Sequence, residues 1–170
     1  MLKIIETDRL YLRELRMEDQ AELSKVLSDA ESMQYYPHPF NHEEVENWIK
    51  WNMENYRRYG HGLWAVILKD GDLFIGDCGI TMQNIENRVL PEIGFHMIKE
   101  FWNKGYATEA AWACTEYALH DLGYSKLFSY TTLENIPSQK VAEKIGMKPY
   151  KIFEKNGKQQ IVQSISADEA

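Results

Sequence analysis

Phe101-Trp102-Asn103-Lys104-Gly105-Tyr106-Ala107-Thr108-Glu109-Ala110-Ala111-Trp112 runs from a strand through a glycine-bearing turn straight into an alanine-rich helix. The first N–H groups of a helix have no intrahelical partner and lie at the positive end of its dipole. A phosphate placed there gains hydrogen bonds and charge stabilisation together, and Gly105 leaves room for the approach. Upstream, residues 89–98 alternate as a strand does. Ile93, Phe95 and Met97 fall on one face, Glu92, Gly94 and His96 on the other. Downstream, Ala107, Ala111, Cys114, Ala118 and Leu122 recur at helical spacing, a small-residue stripe that lets a helix lie close to a sheet, and Gly123 ends the run. Leu127 to Leu133 reads as the next strand. Residues 92–133 are therefore a strand, helix, strand unit, and such crossovers make the two strands parallel.

Outward from this unit the pattern is antiparallel. Apolar runs between residues 64 and 80 flank Asp70-Gly71, a hairpin dipeptide, and Asn156-Gly157 separates two short strand-like runs near the end of the chain. Ile4, Ile5, Leu10 and Leu12 predict a first strand, followed by a helix around residues 18–28 carrying Leu23, Val26 and Leu27. Asn41 and Glu44 have the spacing of a capping box ahead of Val45, Trp48, Ile49, Met53 and Tyr56. Another helix starts near Pro137 and stops at Gly146. The expected fold is a mixed α/β (α+β) domain over residues 1–170: a mostly antiparallel central sheet, one parallel βαβ step, and flanking helices.

Composition bounds the function. The chain has 170 residues, enough for one domain with a substantial core, and its 44% hydrophobic and 26% charged residues are ordinary for a globular protein. No apolar stretch is long enough for a membrane helix and the N-terminus has no signal-peptide pattern, so a cytoplasmic protein without membrane attachment is expected. A net charge of −7 argues against nucleic acid as a partner. Cys78 and Cys114 have no partner at redox or metal-ligand spacing, so they read as buried thiols and no metal is expected.

The order of elements, the Asn-Lys-Gly-Tyr-Ala-Thr turn at 103–108 and Asn135-Ile136-Pro137-Ser138 together resemble the GNAT superfamily of acyl-CoA-dependent N-acyltransferases. Glu6-Thr7-Asp8-Arg9-Leu10-Tyr11-Leu12-Arg13, with Pro91-Glu92-Ile93-Gly94-Phe95, is similar to the branch containing the RimJ and RimL protein N-terminal acetyltransferases. Gly105 and Ala107 match the family's Gln/Arg-x-x-Gly-x-Gly/Ala turn, while Trp102 stands at its Gln/Arg position. The resemblance implies acetyl-CoA as cosubstrate. Its pyrophosphate would lie on the N–H groups of Asn103, Lys104, Gly105, Tyr106, Ala107 and Thr108, and its pantetheine would pair with the backbone of Met97 and Ile98. Asn135 and Ser138 would lie near the cofactor, with Lys104 and Lys140 toward phosphate oxygens.

The chemistry so implied asks for a neutral amine, a stabilised oxyanion and a proton for the departing thiolate. A backbone N–H near Met97 or Ile98 is the expected oxyanion donor and Glu92 the expected base, acting through water, with His96 the weaker choice. Many relatives place a tyrosine late in the last helix as acid, but Ala142-Glu143-Lys144-Ile145-Gly146 has none. Tyr130 and Ser138 are the substitutes. The acceptor is a primary amine: a protein N-terminus, or a polyamine, amino acid or aminoglycoside, with the aromatic stretch from Tyr35 to Tyr59 available to line its cleft. A non-catalytic acyl-CoA sensor is the alternative from another class. P-loop and Rossmann strings are absent. The oligomeric state is open between monomer and homodimer.

Overall fold

The computed structural model describes residues 2–170. Eight strands form one sheet: β1 (Ile5–Glu6), β2 (Leu10–Glu14), β3 (Leu63–Leu68), β4 (Leu73–Ile85), β5 (Arg88–Met97), β6 (Lys126–Thr132), β7 (Lys148–Lys155) and β8 (Lys158–Ser166). Their spatial order is β1-β2-β3-β4-β5-β6-β8-β7. Every neighbouring pair is antiparallel except β5 and β6, the parallel step that the Gly105 crossover demands. The helices are α1 (Gln20–Leu27), α2 (His42–Tyr59), α3 (Tyr106–Glu116) and α4 (Ile136–Lys144).

The two faces of the sheet have separate cores. On one, Ala110, Ala111, Cys114 and Ala118 of the α3 segment are fully buried against Leu10, Val66, Ile80, Ile93 and Leu127, so the small-residue stripe does bring helix and sheet together. On the other, Leu23, Val26 and Leu27 of α1 and Val45 and Ile49 of α2 pack on Tyr11, Ala65 and Ile67. The α2 start is the predicted capping box: Glu44 N–H donates to Asn41 Oδ1 at 2.8 Å and Asn41 N–H to Glu44 Oε1 at 2.9 Å.

Local details depart from the sequence reading. The single first strand is two, because the Thr7 hydroxyl accepts the Leu10 N–H at 3.1 Å and folds residues 7–10 into a tight turn. The first hairpin carries its positive φ angles at Gly71 and Asp72 rather than at Asp70 and Gly71. Glu86 and Asn87, with φ of 50° and 67°, close the β4–β5 hairpin without glycine. The helix expected to reach Leu122 is regular only to Glu116, then widens into a π-helical turn over Tyr117–Asp121 before Gly123.

Candidate active site

The parallel pair is hardly a pair. β5 and β6 are in register at Glu92 and Phe128 alone, and no ladder continues beyond that point toward the C-terminal end of β5. Where a continued ladder would give the Tyr130 N–H a backbone acceptor on β5, it donates instead to Glu92 Oε2 at 3.1 Å. Glu92 thus stands at the base of a split in the sheet. It is partly buried, and that burial pushes its carboxyl up from 4.5 to about 8, against the opposite pull of the Tyr130 hydrogen bond.

The backbone at the end of β5 corrects one expectation. Ile98 N–H donates to Ile75 O at 2.8 Å and its carbonyl accepts the Phe101 N–H at 2.8 Å, so Ile98 is tied into the protein on both sides. Strand alternation then turns the N–H groups of Phe95 and Met97 toward the split. On this strand it is therefore the N–H groups of Met97 and Phe95, and not that of Ile98, that face away from β4. Trp102 has a task of its own, since its indole N–H donates to the Met97 carbonyl at 2.7 Å and fixes the lip of the split.

The turn at 103–108 leaves the first N–H groups of a helix without partners in the protein. Asn103 and Gly105 have φ of 61° and 83°, and α3 starts at Tyr106 with Glu109 N–H donating to Gly105 O at 3.0 Å. The N–H groups of Tyr106, Ala107 and Thr108 precede that first internal bond. No side chain caps them, whereas side chains cap both α2 and α4. Lys104 is exposed beside the turn.

Arg9 and Glu109, to which the sequence reading gave no role, brace this turn. Arg9 donates from Nη1 to the Lys104 carbonyl (3.0 Å) and from Nε to Glu109 Oε1 (2.7 Å), and its guanidinium lies 4.4 Å from the Tyr106 ring centroid. The Thr7 hydroxyl and the Arg9 N–H both donate to Glu109 Oε2, at 2.6 and 3.0 Å. Against the pull of burial, these bonds hold the Glu109 carboxyl below its usual range. The signal was Thr7-Asp8-Arg9 in the sequence, but only the fold brings it to residues about a hundred positions away.

The α4 residues divide. Asn135 is a helix cap, its Oδ1 accepting the Ser138 N–H at 3.2 Å and its Nδ2 donating to Thr131 Oγ1 at 3.1 Å, which leaves one amide N–H and one lone pair of its side chain uncommitted. That cap presents Ser138 in the first turn of α4 at the β6 side of the split, with Lys140 exposed two residues later. The Tyr130 ring packs toward Phe153 of β7 at 6.4 Å and lies under the Lys155 ammonium.

A second polar cluster lies on the same face of the sheet as Glu92. His96 sits directly opposite Asp77 in the β4–β5 register, and its Nδ1 is 2.7 Å from Asp77 Oδ1. Trp48 of α2 donates from Nε1 to Asp77 Oδ2 at 3.0 Å, and the Tyr36 hydroxyl lies 2.6 Å from His96 Nε2. Beside it, Phe40, Glu44, Asn47, Trp48, Trp51 and Gln83 line a groove of about 470 Å³. Gln83, at one end of the groove, is two residues along β4 from Thr81, which pairs with Glu92 across the strands. Among the described residues no group of three or more His, Cys, Asp or Glu is placed to hold a metal ion, and no helix is long and apolar enough to cross a membrane.

The fold as a whole recurs in known proteins. Residues 9–148 match the family described as acetyltransferase (GNAT) domain. The chain belongs to the GNAT family. The Bacillus subtilis protein YkkB is 39% identical over 142 residues, 83% of each chain. A GNAT-family acetyltransferase crystal structure from Bacillus anthracis superposes with a TM-score of 0.84 at 27% identity, covering 97% of this chain and 99% of that one. RimL, a ribosomal L7/L12 α-N-protein acetyltransferase solved in complex with coenzyme A, gives a TM-score of 0.80 over 99% of this chain and 100% of its own; at 16% identity that likeness is one of fold. The chain is accordingly an N-acetyltransferase, and the mixed sheet with one parallel pair is the GNAT fold.

Proposed function

We propose that this GNAT enzyme transfers the acetyl group of its cosubstrate acetyl-CoA to a primary amine by direct attack on the thioester, with a protein N-terminal amine as the first acceptor class to test. The observation that carries the reading is the uncapped α3 start at Gly105 next to a split that opens above Glu92. Main-chain N–H groups from Asn103 to Thr108 hold the diphosphate, assisted by Lys104 and Lys140, and the β5 edge at Met97 pairs with the pantetheine as an added strand would. An N–H facing the split at Phe95 or Met97 receives the developing oxyanion.

Glu92 takes the proton of the incoming ammonium, directly or through one water. A base with a pKa of about 8 suits that task, because it is strong enough to compete for an amine proton and still ionises near neutral pH. The groove between Trp48, Trp51 and Phe40 brings the amine in, with Glu44 at its rim favouring a cation. The enzyme is proposed to work in the cytoplasm as a monomer or homodimer, without metal or nucleic acid. The test is to supply acetyl-CoA with a panel of N-terminal peptides, polyamines, amino acids and aminoglycosides and to follow free thiol. Release above the hydrolytic background with one acceptor class supports the reading, and background release with all of them refutes it.

A further inference from the structure

The family's tyrosine acid has no counterpart late in α4, where residues 142–146 are Ala-Glu-Lys-Ile-Gly. Tyr130 is directed toward Phe153, and a serine hydroxyl such as that of Ser138 is a poor proton donor. The chain carries a different tyrosine at the site, in the segment between α1 and α2. From the tyrosine–histidine–aspartate chain across the catalytic face, we infer that the Tyr36 hydroxyl, held by His96 and Asp77, carries a proton from the acceptor nitrogen to the departing sulfur. This rests on the acetyl-transfer reading above.

The geometry has three parts. Asp77 is fully buried, with one carboxylate oxygen accepting the Trp48 indole N–H and the other facing His96 Nδ1. That pairing fixes the proton on Nδ1 and leaves the Nε2 lone pair for the Tyr36 O–H, 2.6 Å away. His96 shares its face of β5 with Glu92, two alternations along the strand. Tyr36 is partly exposed as a residue, and its hydroxyl lies against the half-buried His96 ring; burial raises that hydroxyl above its ordinary value, and Glu92, Asp77 and Tyr130 add to the effect by charge. The hydroxyl thus sits on the strand face that His96 and Glu92 share. A buried carboxylate–imidazole pair is a weak stability device, because desolvation offsets most of its attraction. As an orienting pair behind a hydroxyl it has a clear use.

The step balances. After the amine adds to the thioester carbonyl, the nitrogen of the tetrahedral adduct carries one proton too many. That proton passes to Tyr36 Oη as the Tyr36 proton moves to His96 Nε2, beside the Asp77 carboxylate. The C–S bond then breaks with its electron pair going to sulfur, the sulfur takes a proton from Tyr36, and His96 returns one to Tyr36. Nitrogen has lost a proton, sulfur has gained one, and the three residues end as they began. Nitrogen and sulfur are bonded to the same carbon, so one hydroxyl serves both. Tyr36 is the catalytic residue; His96 and Asp77 position it.

The test compares Tyr36→Phe, His96→Gln, their double variant and Glu92→Gln. Turnover is measured with the best amine of the thiol-release panel and with hydroxylamine, which is neutral at assay pH. Tyr36→Phe should lose about 100-fold in kcat with both nucleophiles, with the KM for acetyl-CoA unchanged. Glu92→Gln should lose turnover with the protonated amine and recover it with hydroxylamine, and the double variant should be no slower than Tyr36→Phe alone. Any of four results overturns the inference: kcat of Tyr36→Phe within about threefold of wild type, an effect confined to the acceptor KM, rescue of Tyr36→Phe by hydroxylamine, or additive losses in the double variant. Wild-type protein that releases no thiol with any amine removes the acetyl-transfer reading, and this inference with it.

Discussion

Glu92 couples stability to chemistry through one proton. In the unfolded chain its carboxyl ionises near 4.5, while the native protein keeps it protonated to about 8. Between those values the native state binds the extra proton, so the stability this residue contributes is fully present below about 4.5 and is lost as pH rises toward 8. Denaturant melts of Glu92→Gln against wild type should show the wild type losing stability relative to the variant across that window, by a few kcal/mol in all. Parallel pH dependences would contradict the burial argument. In turnover the same ionisation contributes a limb of kcat/KM that rises toward pH 8 in wild type, whereas in Glu92→Gln only the later rise set by deprotonation of the amine itself should remain. Gly105 is the second decisive residue. Its φ of 83° is closed to β-branched side chains, and a Cβ there would lie 3.3 Å from Arg9 Nη2. Gly105→Val should weaken coenzyme A binding at least about tenfold, because strain and bulk fall on the turn that presents the N–H groups. Unchanged affinity by calorimetry would remove the turn from the binding site.

The element whose behaviour matters most is α3, uncapped at its start and braced from behind. Glu109→Ala cuts the bonds to Thr7 and Arg9, freeing the N-terminal turn from the helix. It should lower stability by about 1–3 kcal/mol, as removal of a hydrogen-bonded charge does, and weaken coenzyme A through the loosened Lys104 carbonyl. Melting and binding measured on the same sample check both halves. At α2 the consequence is different. Asn41→Ala should cost about 1 kcal/mol in a chemical melt and leave coenzyme A affinity untouched, since that cap serves the helix alone. The contrast between these helices was half legible in the sequence. Asn41-x-x-Glu44 and the small-residue stripe from Ala107 to Ala118 are local patterns with local causes, and each formed the structure its spacing implied. The brace was not readable, because Thr7 and Arg9 meet Glu109 only after the sheet has carried β1 and β2 to the α3 end of the molecule.

Across the whole molecule, the antiparallel flanks and the single parallel step followed from turn chemistry and from the strand–helix–strand order. What the sequence left out is register. The Glu92–Phe128 pairing, the loss of the ladder beyond it and the facing of Asp77 with His96 are consequences of how two strands slide against each other, and no periodicity encodes that offset. The tie of Ile98 to Ile75, which commits the Ile98 N–H to β4, has the same origin. Asn135 is the opposite case: the Asn-x-x-Ser spacing is local, and it forms the α4 cap. At this scale the central claim is that the split sheet and the α3 turn act as one cradle, with the main chain at 103–108 gripping the diphosphate of a thioester carrier. Calorimetric titration of the protein with coenzyme A and with pantetheine, which lacks the diphosphate, tests it most directly. The account predicts saturable heat with coenzyme A and binding at least about a hundredfold weaker with pantetheine. Equal affinities, or no heat with coenzyme A, would contradict it.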